Sequence, residues 1–88
     1  MNAFMMICTF KPGTVMDEVF AVAAEEQAKV RSLQDASRLG AVRLSLARGT
    51  VFLEVFAEDS NAAEITVHEL PMAKWWDVEA YPLAGPPA

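Results

Sequence analysis

The residue of this chain best suited to chemistry is a glutamate in the middle of an apolar helical stripe. Spaced about 100° apart on a helix, Val15, Val19, Val22, Ala23, Val30 and Leu33 fall within one arc, and Glu26 lies near its centre. Its neighbours Glu25 and Gln27 point elsewhere. A carboxyl group turned toward a core must be paired, carry a raised pKa, or line a wet pocket. A desolvated carboxylate of raised pKa suits a general base, one that takes a proton alpha to a carbonyl and returns it at another carbon. The alternatives are a pairing with Arg43 or Lys29, or a side chain tilted out to solvent.

Other residues offer supporting roles. Arg43, on the polar side of an alternating strand, can bind an anionic substrate or steady an enolate, and Ser45 on the same side can donate to a carbonyl. An ordinary surface arginine is the competing reading. Trp75 and Trp76 fall on opposite faces of the last strand, one toward a ligand pocket and one toward a subunit contact, or both as plain core. Tyr81 brings a hydroxyl to the cavity mouth, near Asp77 and Glu79. His68, the single histidine, falls opposite Ala63, Val67 and Leu70 and so reads as a surface or subunit-contact residue. Cys8 sits in an apolar strand and reads as core. One cysteine excludes an internal disulfide, and no zinc-like spacing occurs, so no metal is expected.

The elements that must position these groups follow from periodicity and punctuation. Residues 4–10 form an apolar strand with both faces expected to be buried, broken by Lys11-Pro12-Gly13. A helix is predicted from Thr14 to about Arg38, with Thr14 as N-cap facing Asp17 and Gly40 as the stop. Residues 41–47 alternate as a strand, Arg48-Gly49-Thr50 turns, and residues 51–57 return. A short helix starts at Asp59-Ser60-Asn61, capped by Asn61 or Ser60, and ends at Pro71. Residues 75–81 make the last strand. The order β-α-β-β-α-β predicts a ferredoxin-like α+β fold: a four-stranded antiparallel sheet with two helices on one face. Residues 1–83 form one domain and residues 84–88 a flexible tail.

Two helices leave one sheet face bare, and Phe52 and Phe56 fall on it, so a homodimer or higher homo-oligomer is expected. The composition agrees: 53% of the 88 residues are hydrophobic, 22% are charged, and the mean hydropathy is +0.21. A net charge of −5 argues against nucleic acid and anionic membrane as partners. No secretory signal and no membrane-length apolar run is read, so a cytoplasmic setting is expected.

Several segments carry a family likeness: Thr9-Phe10-Lys11-Pro12 closing the first strand, Ala24-Glu25-Glu26 leading to Leu33-Gln34, the Gly49 turn, and above all Leu70-Pro71-Met72, Trp75-Trp76, Asp77-Val78-Glu79 and Leu83. In these the chain resembles the muconolactone isomerase-like branch of the dimeric α+β barrel proteins. The resemblance implies an enzyme without metal or organic cofactor that shifts a proton between carbons of an unsaturated lactone. It further implies dimers packed sheet to sheet, larger rings among the isomerases, and a small-molecule pocket between sheet and helices. The expected function is a cofactor-independent isomerase or cyclase of a small unsaturated lactone or polyketide-like carbonyl compound. A cofactorless oxygenase of a polyketide-like aromatic and a non-catalytic ligand-binding or interaction module are the alternatives.

Overall fold

The computed structural model describes residues 1–84; the expected tail lies, but for Ala84, outside the described residues. The chain is α+β. Strands β1 (Asn2–Phe10), β2 (Leu39–Ser45), β3 (Thr50–Ala57) and β4 (Trp76–Leu83) form one antiparallel sheet in the order β2-β3-β1-β4. Helices α1 (Met16–Ala21), α2 (Ala23–Asp35) and α3 (Ser60–His68) and two 3₁₀ turns, Leu46–Arg48 and Pro71–Trp75, complete the described chain. Strand alternation sorts the sheet into two faces. Phe4, Met6 and Cys8 of β1 stand beside Val55, Leu53 and Val51 of β3, all buried beneath Leu33 of α2 and Ala63 and Val67 of α3. On the opposite face Met5, Ile7, Phe52 and Phe56 are only half-buried, so β1 is not covered on both sides within one chain.

The long helix expected over residues 14–38 is two helices. Thr14 does not cap: its hydroxyl donates to the Lys11 carbonyl at 2.6 Å, closing the Pro12-Gly13 turn, and Val15 takes the N-cap position without a side-chain bond. At Val22 (φ −105°, ψ 11°) the backbone leaves helical geometry, its N–H reaching back three residues to Val19, and α2 starts afresh at Ala23. The stop is at Ser37 rather than Gly40. Ser37 has φ 59°, its N–H reaches the Gln34 carbonyl at 3.0 Å, and the Arg38 N–H reaches that of Leu33 at 2.9 Å. This is a Schellman ending with serine where glycine is usual.

Gly40 serves the sheet instead. β2 bulges between Leu39 and Val42, so the Ala41 N–H is bound by Glu54 Oε1 at 3.2 Å instead of by the ladder. A Cβ on Gly40 would run into that carboxylate and the Phe56 ring. The bulge starts β2 two residues early. It also lets the strand end at Ser45, leaving Leu46 in the following turn rather than in the sheet. Asp59, not Ser60 or Asn61, caps α3 by accepting the Ala62 N–H at 2.8 Å. Arg38 bonds Thr66 at 3.0 Å and pairs with Glu69, which also meets Lys29 at 3.3 Å, tying the end of α2 to α3. β4 runs from Trp76, so Trp75 belongs to the turn before it.

A serine in the left-handed region strains the α2 ending, whereas glycine enters it freely. Ser37→Gly is therefore expected to stabilise the chain by about 0.5–1 kcal/mol. The check is a higher denaturant midpoint at unchanged m-value.

Candidate functional site

Glu26 is where the helical stripe placed it, buried with 9% of its surface exposed. The restart at Ala23 sets it in the first turn of α2, and its own N–H bonds the Val22 carbonyl at 2.9 Å. Its carboxylate finds a single partner. Leu70-Pro71 ends the α3 segment and opens a 3₁₀ turn, whose early N–H groups have no acceptor within the turn. One of these, the Met72 N–H, donates to Glu26 Oε1 at 2.9 Å. Neither sequence candidate for an ion pair reaches it: Lys29 meets Glu69, and Arg43 stands on the far face of the sheet. Burial pushes the Glu26 pKa above the ordinary 4.5, and the Met72 N–H offsets only part of that.

The carboxyl group faces a cavity of about 310 Å³ between α2 and the β2–β3 side of the sheet. Val30 of α2, Val42 and Leu44 of β2, Leu53 of β3, Met72 and Trp76 make its walls apolar, and Gln27 adds an amide. Trp76 is 3% exposed and packs edge-on against Phe10 with ring centroids 6.1 Å apart. Its Nε1 has no acceptor among the described residues. Close by lies Cys8, fully buried. Its thiol is pushed up to about 12, first by desolvation and then by the charge on Glu26, so it stays protonated and inert.

Of the residues singled out from the sequence, the structure brings Glu26 and Trp76 to one cavity and no others. Arg43 pairs with Phe52 and Ser45 with Thr50 across the β2–β3 ladder, which sets both on the face away from the helices. Tyr81 lies on that face too, half exposed, with its hydroxyl donating to Glu79 at 3.3 Å. Trp75 packs under the Lys74 ammonium, 4.5 Å from its ring centroid. His68 is exposed at the end of α3. Gln27, expected to point away from the stripe, lines the cavity instead. From the sequence, Met72 enters only through the Leu70-Pro71-Met72 likeness and its N–H is not read as a partner for Glu26, although a proline-opened turn after a helix advertises free N–H donors.

Among the described residues, no group of three or more His, Cys, Asp or Glu side chains is placed to hold a metal ion. No described helix is long and apolar enough to cross a membrane. No protein-family model matches the chain, and no curated protein sequence matches it.

The burial of Glu26 has a thermodynamic signature. The folded chain keeps this proton to higher pH than the unfolded chain does, so stability falls as pH rises from the ordinary glutamate range through the raised folded value. The cost is fully present above that value. Glu26→Gln keeps an oxygen for the Met72 N–H and removes the charge. It is expected to stabilise the protein by about 1–2 kcal/mol at neutral pH. The gain should vanish below about pH 4, where wild-type Glu26 is neutral in both states. Thermal unfolding of both proteins across this pH range is the check.

Proposed function

We propose that the chain is a cofactor-independent isomerase or cyclase that moves a proton on a small unsaturated lactone or polyketide-like carbonyl compound, with Glu26 as the base. The observation that carries this reading is a buried carboxyl group of raised pKa, held by one backbone N–H and opening on an otherwise apolar cavity. A base poised above the usual glutamate range is better matched to carbon acids than an exposed one. Dry walls strengthen its interaction with the proton it takes. The enolate oxygen formed on proton loss needs a donor, and the cavity side chains that carry one are the Gln27 amide and the Trp76 indole, in the role first assigned to Arg43 and Ser45. Trp76 and Leu53 hold the carbon skeleton, and Glu26 returns the proton at another carbon.

The architecture fits the muconolactone isomerase-like resemblance. β3 lies between β1 and β2, and β1 lies between β3 and β4, so each β-α-β unit straddles a strand of the other, as a ferredoxin-like split βαβ does. The half-buried outer face of Met5, Ile7, Phe52 and Phe56 is the surface we assign to a second copy of the chain, packed sheet to sheet as in a dimeric α+β barrel.

α-Angelica lactone, whose alpha protons are acidic and whose double bond can migrate into conjugation, is a suitable test substrate. The wild-type chain should convert it to the conjugated isomer and exchange its alpha protons in D₂O. The free-enzyme rate should rise with pH through a value above 4.5. Glu26→Gln should lower kcat by about a hundredfold or more with the fold intact. A folded Gln variant with undiminished exchange removes Glu26 from the role of base. Binding without any exchange by the wild type points to a ligand-binding module instead.

A further inference from the structure

We infer that the Glu26 cavity continues past Leu44 into a second apolar hollow, and that the substrate is an elongated carbonyl compound. Its acidic carbonyl end lies at Glu26 and its hydrocarbon arm against Phe10, Met16 and Leu46. The assignment of the carbonyl end rests on the proton-transfer reading; the assignment of the arm does not.

The second hollow measures about 300 Å³, nearly the size of the first. The two share a wall: Leu44 and Val51, partners across the β2–β3 ladder, line both. That pair is a partition whose Val51 half is buried and whose Leu44 half is 64% exposed. Beyond it the apolar surface goes on. Leu46 is 89% exposed and Met16 40%, and both line the hollow with Phe10, while Ser45 and Thr50 form its polar edge. The hollow has a fixed floor, because the Phe10 N–H is bonded to the Gly49 carbonyl at 3.1 Å and Gly49 turns the hairpin at φ 55°.

Large apolar side chains in water around a concavity gain free energy from any apolar group that covers them. Here the concavity runs into one that ends at a buried carboxyl group. The first hollow alone, at about 310 Å³, stands at the lower limit of ordinary ligand clefts, and the joined hollows suit a longer molecule. The occupant is thus an amphiphile in a precise chemical sense: one carbonyl-bearing ring and one apolar chain or fused ring. Leu44, standing between the two spaces, sets how the arm passes.

The saturated γ-lactones from γ-valerolactone to γ-dodecalactone carry the same ring on arms of increasing length and are not turned over, so calorimetric titration reads binding alone. Affinity should rise about threefold to fourfold per added methylene, and the rise should persist into the long members. Leu46→Asp, at an exposed position that lines the second hollow and not the first, should bind the short lactones as wild type does and lose the gain for the long ones. Met16→Asp should weaken the longest members alone. An affinity that levels off at the short members in wild type overturns the inference, as does a Leu46→Asp variant that binds long and short members as wild type does. Sedimentation showing that a second copy of the chain fills the hollow, with no lactone binding, overturns it too. The base reading stands or falls separately. A full length dependence in wild type without exchange of α-angelica lactone leaves the elongated site in place and removes the reaction.

Discussion

One hydrogen bond, from the Met72 N–H to Glu26, organises the candidate site. A carboxyl group can remain in an apolar hollow only if something there compensates part of its lost hydration. The compensation comes from a turn far along the chain, so α2 and the segment before β4 are held together by the same bond that holds the acid. The bond is also partial. It satisfies one oxygen and leaves the pKa raised, where a full ion pair with Lys29 or Arg43 would have pulled it down. Lys29 is occupied by Glu69, itself held below the usual carboxylate range first by its bond to Arg38. Lys29, three residues along α2, is thus engaged toward the far end of the helix, and the acid is left under-neutralised.

The hollow beside it is a product of how unevenly the helices cover the sheet. α3 packs on β3, β1 and β4, while α2 meets β2 and the Pro71–Trp75 turn. The bulge at Leu39–Val42 and the early end of β2 at Ser45 leave Val42 and Leu44 short of helical cover. The break at Val22 adds to this, because a straight helix through residue 22 would carry α1 along the line of α2. Gly40 and Ser37, both backbone features of the α2–β2 connection, therefore shape the cavity without touching it.

Much of this was legible in the chain. The inward set of Val19, Glu26 and Leu33, the alternation of Val51, Leu53 and Val55, the Gly49 turn and the inward set of α3 follow from period and burial, and the structure shows each. Val15, expected on the same stripe, is 52% exposed ahead of the broken helix. Three features escaped for physical reasons. Thr14 had two competing bonds open to it, the helix cap and the Lys11 turn, and local composition does not rank them. A serine at the αL position hides a helix stop that a glycine would have marked. Trp75 and Trp76 exchange faces if the strand start slips by one residue, and tertiary pairing with Phe10 decided it.

The placement of Arg43 and Ser45 is more instructive, since the alternation already held the answer. Val42 and Leu44 are the residues a helix must cover, so Arg43 and Ser45 belong to the face that Glu26 cannot reach. Within a strand the period of two turns adjacent side chains to opposite faces of the sheet. The sheet is accordingly divided: its inner face carries the cavity and the acid, while its outer face carries Arg43, Ser45, Glu79 and Tyr81 around half-buried Phe52 and Phe56. Polar groups ringing an apolar centre are the usual make-up of a protein contact rather than of a small-molecule pocket. Arg43 and Tyr81 thus fit better on the rim of the contact proposed for a second copy, and the polar groups of the cavity are Glu26 with its Met72 N–H, Gln27 and the Trp76 indole.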